Sequence, residues 1–156
     1  MTKLRYLIVA FALYVANFHG AVLAQEPARI ESITISTQTA STLLSAEIVD
    51  NEELRQRGLM FRHILPPNQA MLFDFETPRP AAMWMKNTYM SLDMLFVRED
   101  GTIAALAENT VPKSLDTISV QEPVRGVVEL AAGTVKRLSI RKNDRVFHRI
   151  FKTKED

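Results

Sequence analysis

The chain has 156 residues, no cysteine, and 19 Lys plus Arg against 18 Asp plus Glu, a formal charge of +1. That length suits about one domain with a core that needs no disulfide staples. Without thiols there is no cysteine catalysis and no thiolate metal site, and a near-neutral balance gives no pull toward nucleic acid.

Residues 1–24 read as a secretory signal peptide. Lys3 and Arg5 make a short positive start, an apolar run from Leu7 to Ala16 follows, and Val22-Leu23-Ala24 offers small residues where a signal peptidase cuts. The apolar run is short for a membrane span, which needs roughly 20 residues; an uncleaved anchor extended through Phe18 is the alternative. Losing Lys3 and Arg5 leaves 17 basic and 18 acidic residues, a net charge of −1. No stable membrane insertion is then expected, and the destination is the periplasm or the extracellular space.

Residues 25–39 hold a polar lead-in and a first strand, in which Ile33 and Ile35 alternate with Ser32, Thr34 and Ser36. The β-rich body spans 40–151 and forms one globular unit with 29–39. Thr42 to Val49 continues extended. A short helix is expected from Asp50, with Glu53 completing a capping box, Arg55 and Arg57 in the last turn and Gly58 as the stop. After Pro66-Pro67-Asn68, strands are expected over 69–75, 82–88 and 92–97, with a loop at Pro78 and Pro80. Glu99-Asp100-Gly101 turns a hairpin into a strand over 102–107. Residues 108–122 show no clear element; Val124 to Leu130 is a strand, with Arg125 and Glu129 expected to pair on one face. Thr134 caps a second short helix, and a strand from Arg145 to Phe151 ends the chain. The basic residues from Lys136 to Arg149 are mixed with apolar ones and read as a solvated face. Many short strands and two short helices predict a mainly β (α+β) fold, a single antiparallel β-sandwich or barrel rather than parallel βαβ repeats.

Five segments together resemble one family: Gly58-Leu59-Met60-Phe61-Arg62, Ala70-Met71-Leu72-Phe73, Trp84-Met85-Lys86-Asn87-Thr88, Leu92-Asp93, and Val128-Glu129-Leu130 with Ala132-Gly133. The chain resembles the uncharacterised exported proteins of domain-of-unknown-function family 192 over about residues 40–150, with Ala70 and Ala131 where that family often has glycine and proline. The resemblance implies a compact β-rich fold, usually secreted, and no established activity.

The block from Trp84 to Thr88 sets an apolar anchor against three polar side chains, as pocket walls do. In a binding reading Trp84 gives a flat surface, Lys86 holds an anionic group, and Asn87 and Thr88 supply hydrogen bonds; in a structural reading they are core and turn. Asp93, among Leu92, Met94, Leu95 and Phe96, needs a partner, for which Arg57, Arg62 or Lys86 are candidates. Methionines 60, 71, 83, 85, 90 and 94 suit core packing or, less well, Cu(I). Histidines lack metal-ligand spacing, and no cofactor motif or catalytic template occurs. The expected role is non-enzymatic binding of a small ligand or envelope partner. The alternatives are a hydrolase or transferase acting on an envelope component and, more weakly, methionine-based copper binding.

The signal reading makes Gln25 the first residue of the exported protein. Intact-mass measurement is expected to show loss of residues 1–24; their retention would exclude cleavage after Ala24.

Overall fold

Strands dominate the computed structural model, which describes residues 28–153; the expected signal segment and its cleavage point lie outside the described residues. Seven strands and two helices follow in the order β1 (Arg29–Ser36), β2 (Ser41–Val49), α1 (Glu52–Arg57), β3 (Gln69–Met83), β4 (Leu92–Val97), β5 (Ile103–Ala107), β6 (Ile118–Ala131), α2 (Thr134–Leu138) and β7 (Arg145–Phe147). They form one sheet ordered β5-β4-β6-β3-β2-β1-β7. Its two edges meet where Thr102 bridges Arg145. There Ile103 N–H donates to Asp144 O at 2.8 Å and Val146 N–H to Gly101 O at 2.8 Å. The result is a nearly closed barrel, which leaves little free strand edge.

All pairings are antiparallel except β2 with β3, which run parallel. A parallel neighbour needs a long crossover, and the segment between Val49 and Gln69 supplies it with α1 inside. One βαβ unit therefore sits in a fold otherwise antiparallel as expected. The helix starts one residue later than the sequence suggests: Asn51 caps it, its Oδ1 accepting Leu54 N–H at 2.9 Å, while Asp50 pairs with Arg29.

Strand alternation sends one set of side chains, including Ile33, Ile35, Leu72, Leu95 and Val128, into the barrel. The opposite faces of β3, β4 and β6 carry Met71, Phe73, Met94, Phe96 and Val127 into a second apolar layer, closed by Leu59, Leu65 and Met85 from the connecting segments. All six residues of β4 are buried. Burying a large aliphatic side chain is worth about 1.5–3 kcal/mol, so this two-sided burial anchors the middle of the sheet.

Several strand boundaries differ from the sequence reading. Pro78 and Pro80 do not end β3; they sit where its pairing to β6 slips, between Asp74 and Arg79 and again before Ala81, the irregular positions that tolerate a missing N–H. β6 begins at Ile118, because pairing with this outer half of β3 orders residues whose own pattern is uninformative. β7 stops at Phe147, and the chain then turns, Phe151 N–H donating to His148 O at 3.0 Å, so that Ile150 and Phe151 complete the barrel core.

Asp93 is 0% exposed on the barrel side of β4, but its partner is not a cation. One carboxyl oxygen accepts Asn109 N–H at 2.9 Å and the other Val135 N–H at 2.8 Å. The expected pairing with Arg57, Arg62 or Lys86 is thus corrected: a buried carboxyl needs hydrogen bonds, and backbone donors supply them without burying a second charge. Asp93 also takes the capping role expected of Thr134, which is the first helical residue. Asp93→Ala would strand the buried N–H of Val135 and the partly buried N–H of Asn109 and is expected to cost about 3 kcal/mol in urea unfolding. Asp93→Asn, which keeps one acceptor, is expected to cost about 1–3 kcal/mol. Wild-type stability of the alanine variant would contradict this role.

Candidate functional site

The turn after β3 shapes the site. The sequence pattern suggests a strand through Thr88, but β3 ends at Met83 and the next residues fold back, Thr88 N–H donating to Met85 O at 3.0 Å. Asn87 takes φ +56°, a left-handed conformation that asparagine tolerates well. The turn is stapled on both sides: Phe61 N–H donates to Asn87 O at 2.8 Å, Lys113 N–H to Thr88 O at 3.0 Å, and Met85 N–H to Ser114 O at 3.2 Å. Met85 is thereby buried, while Trp84 stays 49% exposed with the Lys86 ammonium 5.0 Å from its ring centre, close enough for a cation–π contact. Since Lys86 and Asn87 lie on a turn, strand alternation does not decide which way they face.

Between this turn, α1 and the outer half of β3 lies a cleft of about 230 Å³. Its apolar wall includes Met60, Phe73, Phe75, Met83 and Trp84, and its charged lining comprises Glu52, Arg55, Arg57, Arg79 and Lys86, with Glu129 beneath. Gly58, the helix stop, packs against the wall: its N–H donates to Leu54 O at 2.8 Å, and at φ +45° an added Cβ would lie 3.1 Å from the Phe73 ring. Arg55 is held by Asp74 O at 2.9 Å and lies 3.4 Å from Glu76. The Arg79 guanidinium stacks 4.5 Å from the Phe75 ring centre.

Of the residues singled out from sequence, Trp84, Lys86, Thr88 and Arg57 line this cleft. Thr88 is buried, its hydroxyl donating to Lys86 O at 3.4 Å. Asn87 supports the turn from behind, its amide donating to Met60 Sδ at 3.9 Å. Arg62 lies outside, in a two-pronged pair with Glu47, and Asp93 belongs to the barrel interior. The methionines divide similarly: Met71, Met85 and Met94 are core. Met83 closes β3 at the cleft, so Met83 and Met85 do not share a strand face.

Glu129 is the residue the sequence reading missed. It was expected to pair with Arg125, but Arg125 pairs with Asp74, where β3 and β6 slip register. Glu129 lies opposite Met71 on one neighbouring strand and Met94 on the other. It is 4% exposed, and its Oε2 has no hydrogen-bond partner among the described residues. Burial pushes its carboxyl up to about 8 by disfavouring the charged form. At neutral pH it is therefore mostly a neutral acid able to donate a hydrogen bond. The signal was present in the apolar stretch Val127-Val128-Glu129-Leu130-Ala131, the same signal that drew attention to Asp93.

Residues 33–148 match the model of DUF192, "Uncharacterized ACR". A Sinorhizobium meliloti 1021 protein called a "putative transcription regulator" is similar in structure, with TM-score 0.79 and 42% identity over 82% of this chain and 100% of that one. A protein of unknown function from Novosphingobium aromaticivorans DSM 12444 is similar with TM-score 0.74 and 29% identity, covering 76% of this chain and 85% of that one. No curated protein matches the chain.

The raised Glu129 carboxyl has a stability consequence. Its folded value lies above the ordinary 4.5, so its contribution is fully present below that value and is lost as pH rises through about 8. Relative to Glu129→Gln, the wild type is expected to lose on the order of 3–5 kcal/mol across that window in urea unfolding. His148, whose protonation burial disfavours, acts in the opposite direction but in both proteins, so it cancels in the difference. Parallel pH profiles for the two would show that Glu129 is already ionised.

Proposed function

We propose that this chain, which belongs to the DUF192 family, acts as a non-enzymatic binding protein for a small amphipathic ligand with an anionic group, working in the periplasm or outside the cell. The observation that carries the reading is the cleft itself. It pairs an aromatic and thioether wall with Arg79 and Lys86, whose charged groups lie over aromatic rings, a combination that receives an apolar body and a negative end together. Its volume suits a small molecule rather than a folded partner.

A second reading, a hydrolase or transferase, takes support from Glu129, since a carboxyl held at about 8 could serve as a general acid. Against it, the cleft lining among the described residues includes no serine, cysteine or histidine, and the hydroxyl of Thr88 is engaged by the backbone oxygen of Lys86 rather than by a base. The name of the Sinorhizobium protein suggests transcriptional control. Several arginines that could contact phosphates are instead paired with carboxylates, among them Arg29, Arg62, Arg98 and Arg149, and the formal charge is only +1, which weighs against a nucleic-acid surface.

Calorimetry and thermal shift with phenylpropanoate and phenyl phosphate test the binding reading, since a ligand specific for the folded state raises its apparent stability. Binding is expected to weaken by about tenfold in Lys86→Ala and in Trp84→Ala, in line with loss of one charge-assisted or aromatic contact. Both are partly exposed positions whose replacement is expected to cost under about 1 kcal/mol of stability. Affinity unchanged in both variants would remove the cleft as the binding site.

A further inference from the structure

We infer that Glu129 is a recognition group of the cleft, selecting ligands whose inner end is an uncharged hydrogen-bond acceptor such as a ketone or amide oxygen. The inference rests on the cleft being a binding site and adds the chemistry of its deep end.

Glu129 projects from β6 into the apolar layer between Met71 and Met94, and it lines the cleft. Its Oε2 is buried with no partner among the described residues. Buried polar atoms are nearly always satisfied, and one left over costs stability. The chain solves the same problem elsewhere: Asp93 has two backbone donors and Asp74 has Arg125. Among the described residues two nitrogens, Arg55 Nε and His148 Nδ1, also lack a partner, but Glu129 Oε2 is the one such oxygen and it lines an opening large enough for a ligand, so a ligand atom is the partner that the geometry leaves for it.

The surroundings choose between a neutral acceptor and an amine. From α1 come Glu52, Arg55 and Arg57, from β3 Arg79, and from the turn Lys86. The face of β4 toward Glu129 offers Leu92, Met94 and Phe96 and no charge. Arg55 is paired with Glu52 and Glu76, while Arg79 and Lys86 lie over aromatic rings, and these two cations disfavour an entering ammonium group. They favour a ligand whose negative end stays among them while its neutral end reaches inward. Burial keeps the Glu129 proton in place at neutral pH, so the O–H donates and the ligand oxygen accepts. A site built to hydrogen-bond a substrate group rejects the analogue that lacks it far more strongly than it rejects a change of one methylene.

Three probes of one shape test this: phenylpropanoate carrying a para-acetyl, a para-isopropyl or a para-aminomethyl group. The acetyl probe is expected to bind wild type at least about tenfold more tightly than the isopropyl probe, with the aminomethyl probe weakest. Its affinity is expected to fall about tenfold from pH 6 to pH 9 as Glu129 ionises. Glu129→Gln retains an N–H donor and is expected to keep the acetyl preference but lose the pH dependence; Glu129→Leu is expected to lose the preference and bind both neutral-ended probes equally. Equal binding of the acetyl and isopropyl probes by wild type overturns the inference while leaving the cleft as a binding site. So does a preference for the aminomethyl probe. Failure of all three to bind overturns both.

Discussion

Burial of β3, β4 and β6 on both faces is the constraint from which the rest follows. Between a filled barrel and an outer apolar layer, the side chains of β4 and of the inner stretches 70–74 of β3 and 126–130 of β6 are cut off from bulk water, so a carboxyl there must be satisfied locally or held neutral. Three occur, Asp74, Asp93 and Glu129, and each meets the constraint differently. Asp93 draws two backbone N–H groups from segments distant in sequence, tying the loop at Asn109 and the start of α2 to β4. Asp74 takes Arg125 across the irregular pairing of β3 with β6 and also accepts the N–H of Glu76, at φ +64°. Glu129 retains its proton. The first two lock the chain path; the third is left facing a cleft.

That pattern explains which parts of the fold were legible in the sequence. Regular alternation marks β1 and β2, because one local period determines which face is buried, and the Glu99-Asp100-Gly101 turn marks the β4–β5 hairpin. Gly58 and Gly101, at φ +45° and +81°, mark chain reversals that need left-handed backbone. What could not be read locally was set by partners. The parallel pairing of β2 with β3 depends on a crossover rather than on either strand's pattern. β6 extends back to Ile118 because β3 pairs with it. β3 persists through Pro78 and Pro80 because the pairing slips to accommodate them. The cap of α2 lies on β4, some forty residues upstream of the helix, where no capping rule would look.

The site was legible to a similar degree and for the same reasons. The change from apolar to polar at Trp84 to Thr88 marks a wall of the cleft, and Trp84, Lys86 and Thr88 reach it together with Arg57. Read as a strand, the same block splits Lys86 from Asn87 on opposite faces. The turn removes that conflict, since Met85 goes inward and Asn87 supports the backbone. Asp93 and Glu129 gave the same signal, a lone carboxyl in an apolar run. They lie on adjacent strands but on opposite faces of the sheet, Asp93 opposite Leu130 and Glu129 opposite Met94. Only the strand order separates a carboxyl that braces the barrel from one that opens to a ligand.

Glu129 then carries a cost that the fold alone does not require. Its cross-strand neighbours are methionines, and a leucine or methionine at that position would extend the apolar layer without a desolvated polar atom. Where a local choice runs against stability with no structural compensation, function is the usual reason. The same cleft contains the other features a core would avoid: a half-exposed tryptophan and guanidinium and ammonium groups laid over aromatic rings. Asp93, by contrast, is fully compensated where it stands. The molecule thus places its satisfied carboxyl where rigidity is needed and its unsatisfied one where a ligand can complete it.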